Sequence, residues 1–203
     1  MRLKLSFVRY LFLCVIILSV GCARMNRLRE ENLSMSQRLQ ELEGKNALLV
    51  EERDRLENAK RSLEESLQGT GASVRIKDGK IAVMLPSSIF FNSGQSTLKK
   101  KAKSSLTKVC NAVKNDFPSG TIRIEGHTDS DPIKRTRSLY ASNWELSAMR
   151  AANVLHFLVG TCGLDSKRLH IAGFGEYRPI TSNNTKEGKK QNRRVEIVVL
   201  TTR

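Results

Sequence analysis

The sequence predicts an α+β fold: a sheet of order ββαβαββ with helices packed against it, preceded by a long coiled-coil helix. Three observations carry this prediction. Apolar residues recur every seven positions from Leu28 to Leu63. Beyond residue 72, short segments alternate with period two, and between them lie two stretches with an apolar stripe at helical spacing. Charge divides along the same lines. Residues 22–71 hold 9 basic and 10 acidic side chains, whereas residues 72–203 hold 23 and 10, in a chain of net charge +15. Composition excludes a multi-span membrane protein, a disulfide-dense miniprotein and a largely disordered chain.

The N-terminus comes first. Met1–Arg9 is basic, and Tyr10–Cys22 is uncharged and apolar. That run is shorter than the ~20 residues needed to cross a bilayer. A short apolar core behind a basic start reads as a secretory signal, residues 1–21. Its end, Leu18-Ser19-Val20-Gly21-Cys22, resembles a bacterial lipobox, although Ser19 rather than leucine stands three places before the cysteine. The resemblance implies cleavage before Cys22, lipidation of Cys22 and anchoring to a membrane. Ala23 after the cysteine implies, by the same resemblance, the periplasmic face of the outer membrane. An uncleaved anchor and a soluble secreted protein are the competing readings.

Residues 22–68 read as a coiled-coil spacer. Leu28, Met35, Leu42, Leu49, Leu56 and Leu63 form one seam, and Met25, Asn32, Leu39, Asn46, Arg53, Lys60 and Leu67 form a more polar second seam. Asparagine at the second seam favours a parallel homodimer, with a trimer open. A single solvated helix or a disordered tether would give similar charge patterning. At ~1.5 Å per residue the helix would span ~70 Å. Residues 69–73, beginning Gly69-Thr70-Gly71, read as a linker that breaks the helix and lets the next domain pivot.

Residues 74–203 form the expected domain. Ser73–Lys77 and Lys80–Leu85 flank Asp78-Gly79, a strong hairpin signal. Ile89–Gly94 reads as a loop leading to Ser96, a plausible N-cap, and Leu98, Ala102, Leu106, Val109 and Val113 mark a buried helical stripe. Thr121–His127 is a strand. Ser142-Asn143-Trp144-Glu145 has the form of a capping box and opens a second helix. Arg168–Phe174 and Arg193–Thr201 are strands separated by a long polar loop. Cys110 and Cys162 fall near helix ends, where two buried thiols are the default and a disulfide is the alternative.

One residue is out of place. At about 100° per residue, Arg150 falls about 40° from Leu146, between Phe157 and Val154 on the apolar arc, with Asn143 on the same side. A guanidinium facing a core needs a partner, because an unpaired buried charge costs several kcal/mol. Asp129 and Asp131, just past the strand 121–127, are the nearest acids by topology. Such a pocket suits a zwitterion: Asp129 takes an ammonium and Arg150 a carboxylate. A structural Arg–Asp pair without ligand is the competing reading.

Four motifs then converge. Gly126-His127-Thr128-Asp129, Asn143-x-x-Leu146-Ser147-x-x-Arg150-Ala151, Gly173-x-Gly175-x-x-x-Pro179 and Asn192-Arg193-Arg194-Val195-Glu196 resemble the OmpA-like peptidoglycan-binding domain, over about residues 75–200. Phe90-Phe91-x-Ser93-Gly94 belongs to the same resemblance, and Asp129–Ile133 with Ser142–Ser147 is similar to the MotB type. The resemblance implies non-covalent binding of meso-diaminopimelate in the peptidoglycan stem, gripped by Asp129 and Arg150. It further implies supporting contacts from Asn143, Thr128 and Asn92, with Arg194 bracing the site or reaching the ligand.

No nucleophile, phosphate loop or metal-ligand spacing accompanies His127-x-Asp129, so no enzyme activity, cofactor or metal is expected. The export signal removes nucleic acid as a partner for the basic domain. A flagellar-stator subunit would need a longer transmembrane helix, and is the alternative to an outer-membrane lipoprotein tethered to the wall.

Overall fold

The computed structural model describes residues 2–200, with side chains from residue 24 onward, so the side chains of the expected signal 1–21 and of Cys22 lie outside the described residues. The elements are α1 (Arg2–Ser66), β1 (Ser73–Lys77), β2 (Lys80–Pro86), α2 (Ser87–Phe90), α3 (Lys100–Asp116), β3 (Thr121–His127), α4 (Asn143–Gly160), β4 (Leu169–Gly173), α5 (Lys186–Asn192) and β5 (Arg194–Leu200). The five strands form one sheet in the order β1-β2-β5-β3-β4. Only β3 and β4 run parallel, with α4 in the crossover between them; the other pairs are antiparallel. The α+β class and the ββαβαββ order hold.

Local chemistry explains the turns. Asp78 and Gly79 adopt φ values of 52° and 67°, the consecutive left-handed residues that a two-residue hairpin requires. One sheet face presents Val83, Ile197 and Ile124 in register across three strands, and they join Leu106, Val109 and Val113 of α3 and Val154 and Leu158 of α4 in the core. Ile89–Gly94 is not wholly a loop, since Ile89 and Phe90 belong to α2. Ser96 is no N-cap: α3 starts at Lys100 after Lys99, and Ser96 is buried, with its hydroxyl bonded to Tyr140 Oη (2.8 Å) and accepting from Asn153 Nδ2 (3.0 Å). The polar loop before β5 contains α5. Cys110 and Cys162 are joined as a disulfide with Cα atoms 6.3 Å apart, where two separate thiols were the default expectation.

The heptad seam has two fates. The chain divides into compact units Met1–Glu52 and Arg53–Arg203. In the first, Leu28, Met35, Leu42 and Leu49 are exposed. In the second, Leu56, Leu63 and Leu67 are buried within the same core cluster as the sheet. The segment after α1 is tied down as well: Thr70 Oγ1 donates to Leu67 O (2.6 Å), and Ala72 N donates to Thr70 Oγ1 (3.1 Å). The compact sheet-bearing unit takes in the chain from Arg53 onward, and within residues 69–73 Thr70 is buried. A sequence repeat marks which side of a helix is apolar but not what covers it.

Candidate functional site

The site forms where β3 and β4 end beside the first turns of α4. Two glycines set the spacing. A Cβ on Gly126 would lie 2.0 Å from the carbonyl oxygen of Ser147, and one on Gly173 would lie 2.8 Å from Ala148 Cβ. Only bare backbone lets both strands press against the helix. Ser147 Oγ then accepts from Gly175 N (3.0 Å), and Thr128 N donates to Gly175 O (2.8 Å), fixing the chain as it leaves β3. The start of α4 is held by the Ser142–Glu145 capping box, with Ser142 N donating to Glu145 Oε2 at 2.7 Å.

These constraints bring Thr128, Asp129, Asn143 and Arg150 to one cleft of about 720 Å³, which Asn92 and Arg193 also line. Pockets that enclose a whole small ligand span about 300–1,000 Å³. Asp129 and Arg150 are 5% and 3% exposed, so both charges sit largely out of water. Arg150 Nε donates to Gln95 O (3.0 Å), and its guanidinium carbon lies 5.3 Å from the centroid of the Phe91 ring. Burial lowers the Arg150 pKa to about 10; Asp129 and Tyr140 oppose that shift and Arg193 adds to it. The side chain remains a cation at neutral pH.

The pairing differs from the expected one. Among the described residues, no carboxylate lies within 4 Å of Arg150. Asp129 instead pairs with Arg193, and Asp131 with Lys189 at 2.7 Å. Asn143 Nδ2 donates to Glu176 Oε2 (3.0 Å) and Asp131 O (3.1 Å), so it braces the loop after β3. Thr128 Oγ1 is buried without a partner, and Asn92 Nδ2 donates to Gln95 Oε1 (3.1 Å).

Arg194 is brought elsewhere. It does not line the cleft; it is buried, bonded through Nε to Glu196, through Nη1 to Asn192 O (3.1 Å) and through Nη2 to Arg178 O (3.2 Å). Strand alternation contained the signal: Arg194 and Glu196 are two apart and share a face, which leaves Arg193 at the strand entrance. Asn192 was also missed. Fully buried, its Oδ1 accepts from Ile180 N (2.9 Å) and Thr181 N (3.1 Å), and its Nδ2 donates to Thr181 O (2.9 Å). It fastens the polar loop and so sets where Arg193 begins.

His127 lies apart from the cleft. Its ring stacks on Phe174 at 5.2 Å, and its Nε2 is 3.6 Å from Glu125 and 3.9 Å from Glu196. Glu125, His127 and Glu196 could gather around a cation, but Arg123 and Arg194 already pair with the two carboxylates. Burial would raise the Glu125 pKa, yet the neighbouring His127 and Arg123 outweigh it and hold it at about 2. Burial keeps His127 below its ordinary value.

The cleft thus places a buried cation and a buried carboxylate on one lining. Residues 90–193 match the OmpA family. The chain is similar to Motility protein B of Bacillus subtilis, 39% identical over 68% of this chain and 48% of that protein. It is also similar to Probable lipoprotein YiaD of Escherichia coli, 36% identical over 68% and 59%. Among solved structures it resembles the cell wall anchor of the T6SS from Pseudomonas aeruginosa, with TM-score 0.62 and 29% identity over 70% of this chain and 96% of that one. The chain spans about half the length of the curated relatives it matches.

Proposed function

The chain belongs to the OmpA family and carries an OmpA-like peptidoglycan-binding domain, and on that premise we propose that it is a non-catalytic envelope lipoprotein tethering the outer membrane to the wall. Its cleft takes the free end of meso-diaminopimelate in the stem peptide. The observation that carries this reading is Arg150, a buried guanidinium with no carboxylate within 4 Å among the described residues, beside Asp129 on one cleft. The ligand carboxylate docks on Arg150, and its ammonium exchanges with Arg193 on Asp129. Lipidation at Cys22 supplies the membrane attachment, and the exposed seam of Leu28, Met35, Leu42 and Leu49 supplies a homodimer.

The test is co-sedimentation with purified sacculi, competed by diaminopimelate-containing and lysine-containing peptides. Lysine lacks the second carboxylate and would leave Arg150 buried and unpaired, so it should compete far more weakly. Asp129→Asn and Arg150→Ala should each abolish co-sedimentation while far-UV circular dichroism stays unchanged. If both variants sediment like wild type, the site assignment is wrong.

A second reading follows from the likeness to Motility protein B: an inner-membrane anchor of the flagellar-stator type. Labelled palmitate incorporation that disappears in Cys22→Ala supports the lipoprotein. An unlabelled protein that fractionates with the inner membrane supports the stator type.

A further inference from the structure

Beside the cleft, the surface carries an aromatic pair that the peptide site leaves unused. Trp144 and Tyr177 stack with ring centroids 5.0 Å apart and planes 21° from parallel, yet they stay 46% and 63% exposed. Neither ring lines the cleft. Large aromatic surface left in water is unfavourable, and a rigid stacked pair of such rings marks a contact surface. Its position is fixed by the site itself. Trp144 follows Asn143, Tyr177 follows Glu176, and Asn143 Nδ2 donates to Glu176 Oε2 at 3.0 Å. The hydrogen bond that braces the cleft therefore also clamps the two segments that present the rings.

We propose that Trp144 and Tyr177 form a platform for a sugar ring of the glycan strand, next to the pocket that holds the stem peptide. The flat face of an N-acetylated hexose presents C–H groups of slight positive charge, and an aromatic face presents the complementary negative quadrupole. The proposal rests on the peptidoglycan reading and deepens it. The ligand becomes a disaccharide peptide, with its peptide end in the cleft and its sugar on the rings.

Trp144 is the only tryptophan in the sequence, so its fluorescence reports on this surface alone. The experiment titrates the full chain with a disaccharide tetrapeptide and, separately, with the sugar-free tetrapeptide. Wild type should bind the disaccharide form about tenfold more tightly, the scale of one good aromatic contact. The sugar-bearing ligand should shift Trp144 emission, and the bare peptide should leave it unchanged. Trp144→Ala and Tyr177→Ala, followed by calorimetry, should each remove the sugar's advantage and leave tetrapeptide affinity at the wild-type value; Trp144→Phe should keep much of the advantage. Equal affinity of wild type for both ligands overturns the platform, as does an advantage that survives in both alanine variants. Loss of tetrapeptide binding in both variants also overturns it, because the rings would then be supporting the peptide site. If wild type binds neither ligand, the proposed function fails, and the platform with it.

Discussion

The carboxylate of Asp129 is held by Arg193, 64 residues further along the chain, while Arg150 on the same cleft has, among the described residues, a backbone carbonyl and an aromatic face as partners. Among the described residues, one cation is paired with a carboxylate and the other is not. Arg193 is also the more exposed of the Asp129 pair, with 36% of its side chain open against 6%.

That asymmetry separates the two arginines by experiment. In Arg193→Gln the incoming ammonium no longer competes for Asp129, so sacculus binding should stay within about threefold of wild type. Arg150→Ala removes the group proposed to hold the ligand carboxylate, a charge-assisted bond worth about 1.5–3 kcal/mol, and should lower affinity at least tenfold. Titrated co-sedimentation of the two variants side by side decides it. Equal losses would mean that Arg193 also holds the ligand.

The contact of Gly126 with α4 admits no side chain. Gly126→Ala would place a methyl 2.0 Å from the Ser147 carbonyl, against backbone that cannot swing aside. A loss of about 1–3 kcal/mol in urea unfolding is expected from such overpacking, with weaker wall binding because β3 and α4 are forced apart. Gly160→Ala meets nothing within 4 Å and should not lower stability.

The end of α1 is part of the sheet-bearing unit. Leu63 is fully buried, so Leu63→Ala should cost about 2–5 kcal/mol in the fragment 53–203, measured by denaturant unfolding. A fragment beginning at residue 74 should unfold at markedly lower denaturant. Leu42→Ala removes an exposed side chain of the other unit. In the full chain it should change self-association in analytical ultracentrifugation and leave the unfolding of the sheet untouched.

Glu125 and His127 make the fold acid-sensitive, and the sign is the same for both. His127, lowered by burial, stays neutral in the fold while the unfolded chain takes up its proton below pH 6.5, so stability falls from there downward. Glu125 is held at about 2 against an ordinary 4.5, so its contribution is present above pH 4.5 and is lost as pH falls toward 2. The Glu125 share is about 3 kcal/mol. Melting temperatures from pH 7 to 3 should decline in two stages, and His127→Gln should remove the upper one.

Much of this was legible in the chain because it is local. The strand Thr121–His127, the capping box at Ser142 and the Asp78-Gly79 turn follow from residues a few positions apart, and each stands where the spacing put it. The misplacement of Arg150 on an apolar arc was equally readable, since a helical wheel needs only one helix. What the sequence could not rank were equivalent neighbours. Arg193 and Arg194 stand side by side, and only their strand position sends one into the cleft and the other to Glu196.

By itself the sequence determined the five strands, the two main helices of the sheet domain, their amphipathic sides and the family, all encoded in short-range periodicity and motif spacing. The tertiary structure alone decided which acid meets which arginine, that Cys110 reaches Cys162, and that the heptad seam passes from exposed leucines to core leucines. Those outcomes depend on how loops close and which surfaces they bring into contact. A contact between residues 52 or 64 positions apart is fixed by the packing of everything between them, which no local pattern records.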